Sequence, residues 1–228
     1  MPLLEIIDLS YDYTPRSGTV HALKKINACF DAGRVYAVTG RSGSGKTTLL
    51  SLIAALDRPM SGQILLDGKS IFDERPDRYR RENISMVFQS YNLIAHLTAG
   101  ENVELAFELN GTPCGKRAAV AREILRSVGL GDEYYRKRPR QMSGGEQQRV
   151  AIARAVASGA KIILADEPTG NLDNQNSEMI ISQLTRLAHE EGRCVIIVTH
   201  SEEIAAGADV RYHMSDGVLS VVPISQTL

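Results

Sequence analysis

Residues 40–47 read Gly-Arg-Ser-Gly-Ser-Gly-Lys-Thr, between an apolar run at 35–39 and a helix-like stretch at 48–56. Nothing else in the chain restricts the fold as strongly, because such a loop works only where a strand delivers it and a helix carries the chain away. Gly40, Gly43 and Gly45 let the backbone curl until the N–H groups of the loop, those of Arg41, Ser42 and Ser44 among them, converge on phosphate. The helix opening around Thr48 adds the positive end of its dipole. Lys46 is expected to reach the β- and γ-phosphates, and the Thr47 hydroxyl to coordinate Mg²⁺. A chance glycine-rich turn is the bland alternative; it is set aside because every fixed position is filled. The expected ligand is a nucleoside triphosphate.

A chain of 228 residues buries one sizeable core and fits one large domain spanning 1–228; two complete nucleotide-binding domains of this kind would not fit. Basic and acidic residues balance at 26 and 27, so no global field draws the chain to nucleic acid or an anionic membrane. Cys29, Cys114 and Cys194 are widely spaced with no Cys-x-x-Cys pair, as expected of reduced thiols in a cytoplasmic protein. The first residues lack a basic segment followed by an apolar one, and no apolar stretch approaches the ~18 residues that cross a bilayer. Work at a membrane would therefore need another chain to hold this one there.

Residues 3–36 alternate β-like runs with turns, and 64–71 reads as a hairpin around Asp67-Gly68, which predicts a small antiparallel sheet beside the phosphate loop. Helical periodicity at 101–109 and 116–128, with glycines and Pro113 between, predicts a helical insertion. Beyond it, helix-like 145–157 and 177–191 alternate with apolar β runs at 161–165 and 194–199, the pattern of a parallel sheet covered by helices. Asp216-Gly217 marks a last hairpin. Four apolar β runs end beside polar groups suited to nucleotide chemistry: Thr39, Gln89, Asp166-Glu167 and His200. In open α/β sheets ligands bind at the carboxyl ends of the strands, so these four ends are expected to converge.

Residues 162–167, Ile-Ile-Leu-Ala-Asp-Glu, form an apolar strand ending in two carboxylates, a Walker B element. Asp166 is expected to hold Mg²⁺ through its water shell and Glu167 to polarise the attacking water as general base. The bland reading is a solvated acidic turn before Pro168. His200 could donate to the γ-phosphate and hold Glu167 in line, or be structural; Gln89 could reach Mg²⁺ or the water, or cap nearby backbone. Ser143 with Glu146 forms a capping box opening a helix, and Gly144 and Gly145 leave N–H groups bare at its start. That is a second anion site, and a single triphosphate does not need two.

The order of phosphate loop, Gln89, Ser-Gly-Gly-Glu, Asp166-Glu167, Asn171-Leu172-Asp173 and His200 resembles the ATP-binding cassette (ABC) ATPases over essentially the whole chain. Met142 to Gln147 is similar to that family's Leu-Ser-Gly-Gly-Gln signature, with Met for Leu and Glu for Gln. The resemblance implies an α/β fold of the P-loop NTPase class, an ABC-type nucleotide-binding domain. A RecA-like parallel-sheet core would carry an antiparallel β-subdomain and a helical subdomain inserted at about 90–158. It also implies a head-to-tail homodimer. Ser143, Gly144, Gly145 and Glu146 of one protomer would close on the γ-phosphate held by the other's loop, and Asp173 would link the two sites. Tyr13 matches the aromatic that stacks on adenine, with Tyr11 as a rival and a β-sheet surface aromatic as the plain alternative.

Residues 56–62, 88–93 and 98–103 look like the subgroup of macrolide-exporter, lipoprotein-release and antimicrobial-peptide-transport ATPases. This implies an ATP- and Mg²⁺-using ATPase on the cytoplasmic face of the membrane. It would drive an integral membrane permease on a separate chain, with a periplasmic or extracellular adaptor in some systems. Leu93, Ile94 and Leu97 would line the groove for a permease coupling helix, or else pack the insertion. The alternatives are a membrane-linked regulatory ABC complex that does not transport, a soluble ABC ATPase acting on DNA or ribosomes, and a metabolic phosphoryl-transfer enzyme. The basic run 136–140 reads as a solvated loop, since net charge is near zero and no aromatic platform accompanies it, so no nucleic-acid partner is expected.

Overall fold

The computed structural model describes residues 1–14, 18–73, 75–111 and 114–223, with residue 114 described by its backbone; Pro113 and the Cys114 thiol lie outside the described residues. β1 (Leu4–Tyr13) and β2 (Val20–Phe30) pair antiparallel through register shifts after Ile6 and Leu9 that let the ribbon bend. β3 (Val35–Thr39) is buried along its whole length and delivers the phosphate loop, from which α1 (Lys46–Ile53) departs. The helix starts two residues earlier than its apolar pattern predicts because Gly45, at φ 109°, is its N-cap. β4 (Ser61–Leu66) and β5 (Lys69–Ser70) are the predicted hairpin and complete a four-stranded sheet ordered β2-β1-β4-β5.

α2 (Pro76–Asn83) was not legible in the sequence: four of its eight residues are exposed, three are half-buried and only Tyr79 is buried, so it carries no apolar stripe. Its Tyr79 hydroxyl donates to the Ile53 carbonyl at 2.9 Å and Arg80 to that of Ala55 at 2.6 Å, capping the end of the phosphate-loop helix. β6 (Ile84–Phe88) follows, then α3 (Ala99–Leu109), α4 (Arg117–Ser127) and α5 (Gly144–Ala157). α3 opens on a Thr98–Glu101 capping box and α5 on the predicted Ser143–Glu146 box. β7 (Ile162–Asp166), α6 (Asn174–His189), β8 (Cys194–Val198), the short α7 (Glu202–Ala206), β9 (Val210–Ser215) and β10 (Val218–Val222) complete the chain. α6 begins three residues before its predicted start because Asp173 caps it, accepting from the Asn176 N–H at 2.8 Å.

The second sheet runs β10-β9-β3-β8-β7-β6, parallel except for the β9–β10 hairpin at Asp216-Gly217. Its strands alternate between two cores. Val35, Ala37, Ile163, Ala165, Val195 and Ile197 face the cluster built with α3, α4, α5 and α6. Tyr36, Val38, Ile162, Leu164, Ile196 and Val198 face the one built with α1 and the antiparallel sheet. Both faces are dry, which is why these strands read as unbroken apolar runs. Truncating a wholly buried side chain here, Ile196→Ala, costs about 2–5 kcal/mol. Parallel pairing also places the carboxyl ends of β3, β8, β7 and β6 side by side along one edge.

Candidate functional site

The phosphate loop forms one wall of a cavity of about 480 Å³ that also takes in Tyr13, Glu167, His200 and Asp216. Its curl depends on glycine. A Cβ on Gly40, at φ 147°, would stand 2.2 Å from the Met214 carbonyl oxygen, and one on Gly45 would stand 2.6 Å from that of Ala22. Lys46, 5% exposed, reaches back to donate to the carbonyls of Gly40 at 2.7 Å and Arg41 at 2.9 Å. Burial pulls its ammonium pKa down, against the opposing charges of Glu167 and Asp166. The Ser44 hydroxyl is buried in the loop without a hydrogen-bond partner. A buried ammonium, an orphaned hydroxyl and a cradle that tolerates no side chain fit a polyanion such as a triphosphate.

Asp166 ends β7 and accepts from the Thr47 hydroxyl at 3.4 Å, so two oxygen groups that could hold a hard cation stand side by side. Burial raises the Asp166 pKa, partly offset by that hydrogen bond and by Lys46 and His200. Glu167 stands at φ 47°, left-handed backbone that a side chain of its size adopts at a cost. Its N–H donates to the Val198 carbonyl at 2.9 Å and its own carbonyl accepts from Gly170 at 3.1 Å, so the strained turn is tied at both ends. The Glu167 carboxylate meets His200 Nε2 at 2.5 Å, joining two of the predicted strand ends.

Gln89 follows the end of β6. It does not line the cavity: its amide donates to the Asn171 side-chain oxygen at 3.3 Å, and Asn171 donates back to the Gln89 carbonyl at 3.3 Å. The reason is topological, since β6 is the edge strand and its end lies beside the loop leaving β7. Tyr13 and Tyr11 are separated by geometry. Tyr13 is 44% exposed in the cavity wall with its hydroxyl 3.2 Å from that of Thr48, while Tyr11 sits edge-on to it at 5.0 Å, half-buried against the core.

Ser143, Gly144 and Gly145 lie apart from the cavity of their own chain. The Ser143 hydroxyl accepts from the Glu146 N–H at 3.3 Å, and the Glu146 carboxylate accepts from the Ser143 N–H at 2.7 Å and the Tyr134 hydroxyl at 2.5 Å. A Cβ on Gly144 would meet the Tyr91 hydroxyl, and one on Gly145 the Asn176 amide, so a larger residue here would have to displace those side chains. Asp173 is held in place by Asn176. Three α5 groups escaped the sequence reading. Buried Gln148 donates to the Pro168 carbonyl at 2.7 Å, Arg149 donates to Asn176 at 3.3 Å, and Arg154 donates to the Asn92 carbonyl at 2.6 Å and that of Tyr91 at 3.3 Å. A polar residue on an otherwise buried helix face was the available signal.

Leu93, Ile94 and Leu97 are half-buried, and Leu93 packs on the core. Fully buried Asn102 fixes their segment, accepting from the Ile94 N–H at 2.8 Å and donating to the Thr98 carbonyl at 2.9 Å. Beside the basic run 136–140, Lys137 lies over the Tyr134 ring at 3.8 Å and Arg122 over the Tyr135 ring at 3.7 Å.

Residues 23–170, which carry the glycine-rich loop, Gln89, the Ser143–Glu146 capping box and the paired carboxylates, match the ABC transporter family. The chain belongs to that family. It is 40% identical over 221 residues to an uncharacterized ABC transporter ATP-binding protein, YclH, of Bacillus subtilis, with 97% of each chain covered. It is 43% identical to an uncharacterized ABC transporter ATP-binding protein of Thermotoga maritima, covering 94% of this chain and 92% of that one. The macrolide export ATP-binding/permease protein MacB of Aggregatibacter actinomycetemcomitans is 42% identical over 95% of this chain, which spans only 34% of that protein. Among solved structures, a dimeric post-hydrolysis state of the ATP-binding cassette MJ0796, bound to ADP and Pi, superposes with a TM-score of 0.88 at 36% identity, covering 97% of this chain and 98% of that one. The chain is thus an ATP-hydrolysing ABC cassette with a P-loop NTPase fold. No helix among the described residues is long and apolar enough to cross a membrane.

Proposed function

We propose that two copies of this ABC ATPase close head-to-tail on two ATP molecules and drive an integral membrane permease carried on a separate chain, from the cytoplasmic face of the membrane. The observation that carries the reading is that the Ser143–Gly145 helix end, expected from the sequence to be an anion site, does not line the loop cavity of its own chain. A second copy turned end for end brings the missing half to each cavity, and the MJ0796 cassette has been solved as a dimer. Residues 1–228 act as one unit, with the helices of about 90–158 as the lever that carries the Ser143 end.

In this reading the loop N–H groups and Lys46 hold the phosphates, and Tyr13 stacks on the base. Glu167 polarises the attacking water while His200, 2.5 Å from its carboxylate, fixes its direction. Thr47 and Asp166 would hold Mg²⁺, which neutralises charge on the β- and γ-phosphate oxygens. Asp173 contacts the twin. The segment after Gln89, shaped by Asn102, receives the permease. In this reading the partner is an exporter of the macrolide, antimicrobial-peptide or lipoprotein-release kind, with an outer adaptor in some systems, and the macrolide export ATP-binding/permease protein MacB among the relatives supports it.

Replacement Glu167→Gln is the direct test. It should lower turnover about 10²–10⁴-fold while leaving a stable ATP-bound dimer visible by light scattering. Parental turnover would remove Glu167 as the base. Ser143→Arg should abolish cooperative turnover and spare ATP binding to the monomer; unchanged cooperativity would refute the head-to-tail arrangement. The chain recovered with the native complex identifies the permease, and one without transport activity would place the protein among the regulatory assemblies.

A further inference from the structure

Glu146 puts a carboxylate at the helix end that the reading above assigns to phosphate, and an anion there competes with the one to be bound. Gly144 and Gly145 open α5, and the first N–H groups of a helix have no carbonyl partner inside it. A carboxylate in the same turn is drawn to them as phosphate is, because the positive end of the helix dipole attracts both. In this chain both Glu146 oxygens are held elsewhere. One accepts from the Ser143 N–H at 2.7 Å and the other from the Tyr134 hydroxyl at 2.5 Å. Tyr134 stands in the turn Asp132–Tyr134 ahead of α5, and the Lys137 ammonium lies over its ring at 3.8 Å. The tyrosine bond is the largest of the causes that hold the Glu146 carboxyl below its ordinary range; burial opposes it, while the bonds to Ser143 and the charge of Lys137 add to it. The carboxylate stays charged and stays in place.

From this geometry we infer that Tyr134 is a positioning residue for the reaction: it tethers the Glu146 carboxylate away from the Gly144 and Gly145 N–H groups, so that these stay open to the γ-phosphate of the twin. The inference rests on the dimer reading above, since that phosphate comes from the other copy's loop. Without the hydroxyl one carboxylate oxygen loses its partner, and the side chain turns toward the bare N–H groups as a tethered competitor. Glu146→Gln removes the charge that makes it compete, so the need for Tyr134 is set by the glutamate. Tyr134 does not line the loop cavity of its own chain, so its hydroxyl acts on closure of the pair and not on the first binding of nucleotide.

Losing a hydrogen bond to a charged group shifts its position by about tenfold or more. Full-length Tyr134→Phe, which keeps the ring beside Lys137, should raise the ATP concentration at half-maximal turnover about tenfold and leave the maximal rate within about twofold. In a Glu146→Gln background the same Tyr134→Phe change should shift that concentration less than about twofold. A fluorescent, non-hydrolysable ATP analogue should bind the dilute Tyr134→Phe monomer as it binds the parent, which also shows that the variant is folded. An equal shift with and without Glu146→Gln, a loss confined to the maximal rate, or no shift at all would overturn the tether. Parental turnover per chain that does not rise with protein concentration would remove the dimer reading and the tether with it. Turnover that rises with concentration but does not respond to Tyr134→Phe would remove the tether alone.

Discussion

Gln148 offers the sharpest test of how α5 is joined to the catalytic loop. It is wholly buried, donates one N–H to the Pro168 carbonyl at 2.7 Å, and leaves its own side-chain oxygen without a partner. Replacement by Met, close in shape, loses the bond and orphans the Pro168 carbonyl but also removes the orphaned oxygen. These opposing terms are each about 1–3 kcal/mol, so Gln148→Met should stay within about 1 kcal/mol of the parent. Gln148→Glu keeps the shape and sets a buried carboxyl against a carbonyl, where only the protonated form can donate. Burial raises its folded pKa above the unfolded value, so the folded state binds the extra proton. Stability is then retained below the unfolded pKa and lost as pH rises through the folded one. The loss is on the order of 1–3 kcal/mol at neutral pH and smaller at pH 5.5. Scanning fluorimetry of parent, Gln148→Met and Gln148→Glu between pH 5.5 and 8 reads both effects. A Glu variant that melts with the parent at pH 7.5, or a deficit that does not change with pH, would show that this side chain does not bridge α5 to Pro168.

Other outcomes follow from single contacts. Tyr13→Ala should raise the ATP KM about tenfold with little change in kcat, while Tyr11→Ala should act chiefly on stability, since only Tyr13 faces the cavity. Gly45→Ala, forced to φ 109° with its Cβ 2.6 Å from the Ala22 carbonyl, should cost several kcal/mol or shift the loop and abolish nucleotide binding, checked by melting and by titration with ATP. Asp209 is held below the ordinary carboxylate range: burial opposes this, but hydrogen bonds from His189 at 2.9 Å and the Val35 N–H at 2.7 Å outweigh it. Its contribution is present above pH ~4 and lost as pH falls through the depressed value, so Asp209→Asn should flatten the acid limb of the stability profile.

What the residue order settled by itself is local. A strand followed by Gly40 to Thr47, a capping box at Ser143 and paired carboxylates after an apolar run each carry their geometry in a few adjacent residues, so strand, loop and helix chemistry could be read directly. Helix ends were less legible, because a cap such as Asp173 or Gly45 acts outside the apolar pattern that announces the helix. α2 was invisible because it buries one side chain. Tertiary structure alone decided the rest. The choice of Tyr13 over Tyr11, the turn at Asp216 closing the cavity wall, and the engagement of Gln89 by Asn171 all depend on which strand ends lie side by side. Strand order is fixed by covering both faces of one sheet with apolar surface. That requirement joins residues more than a hundred positions apart, and no short stretch of sequence contains it.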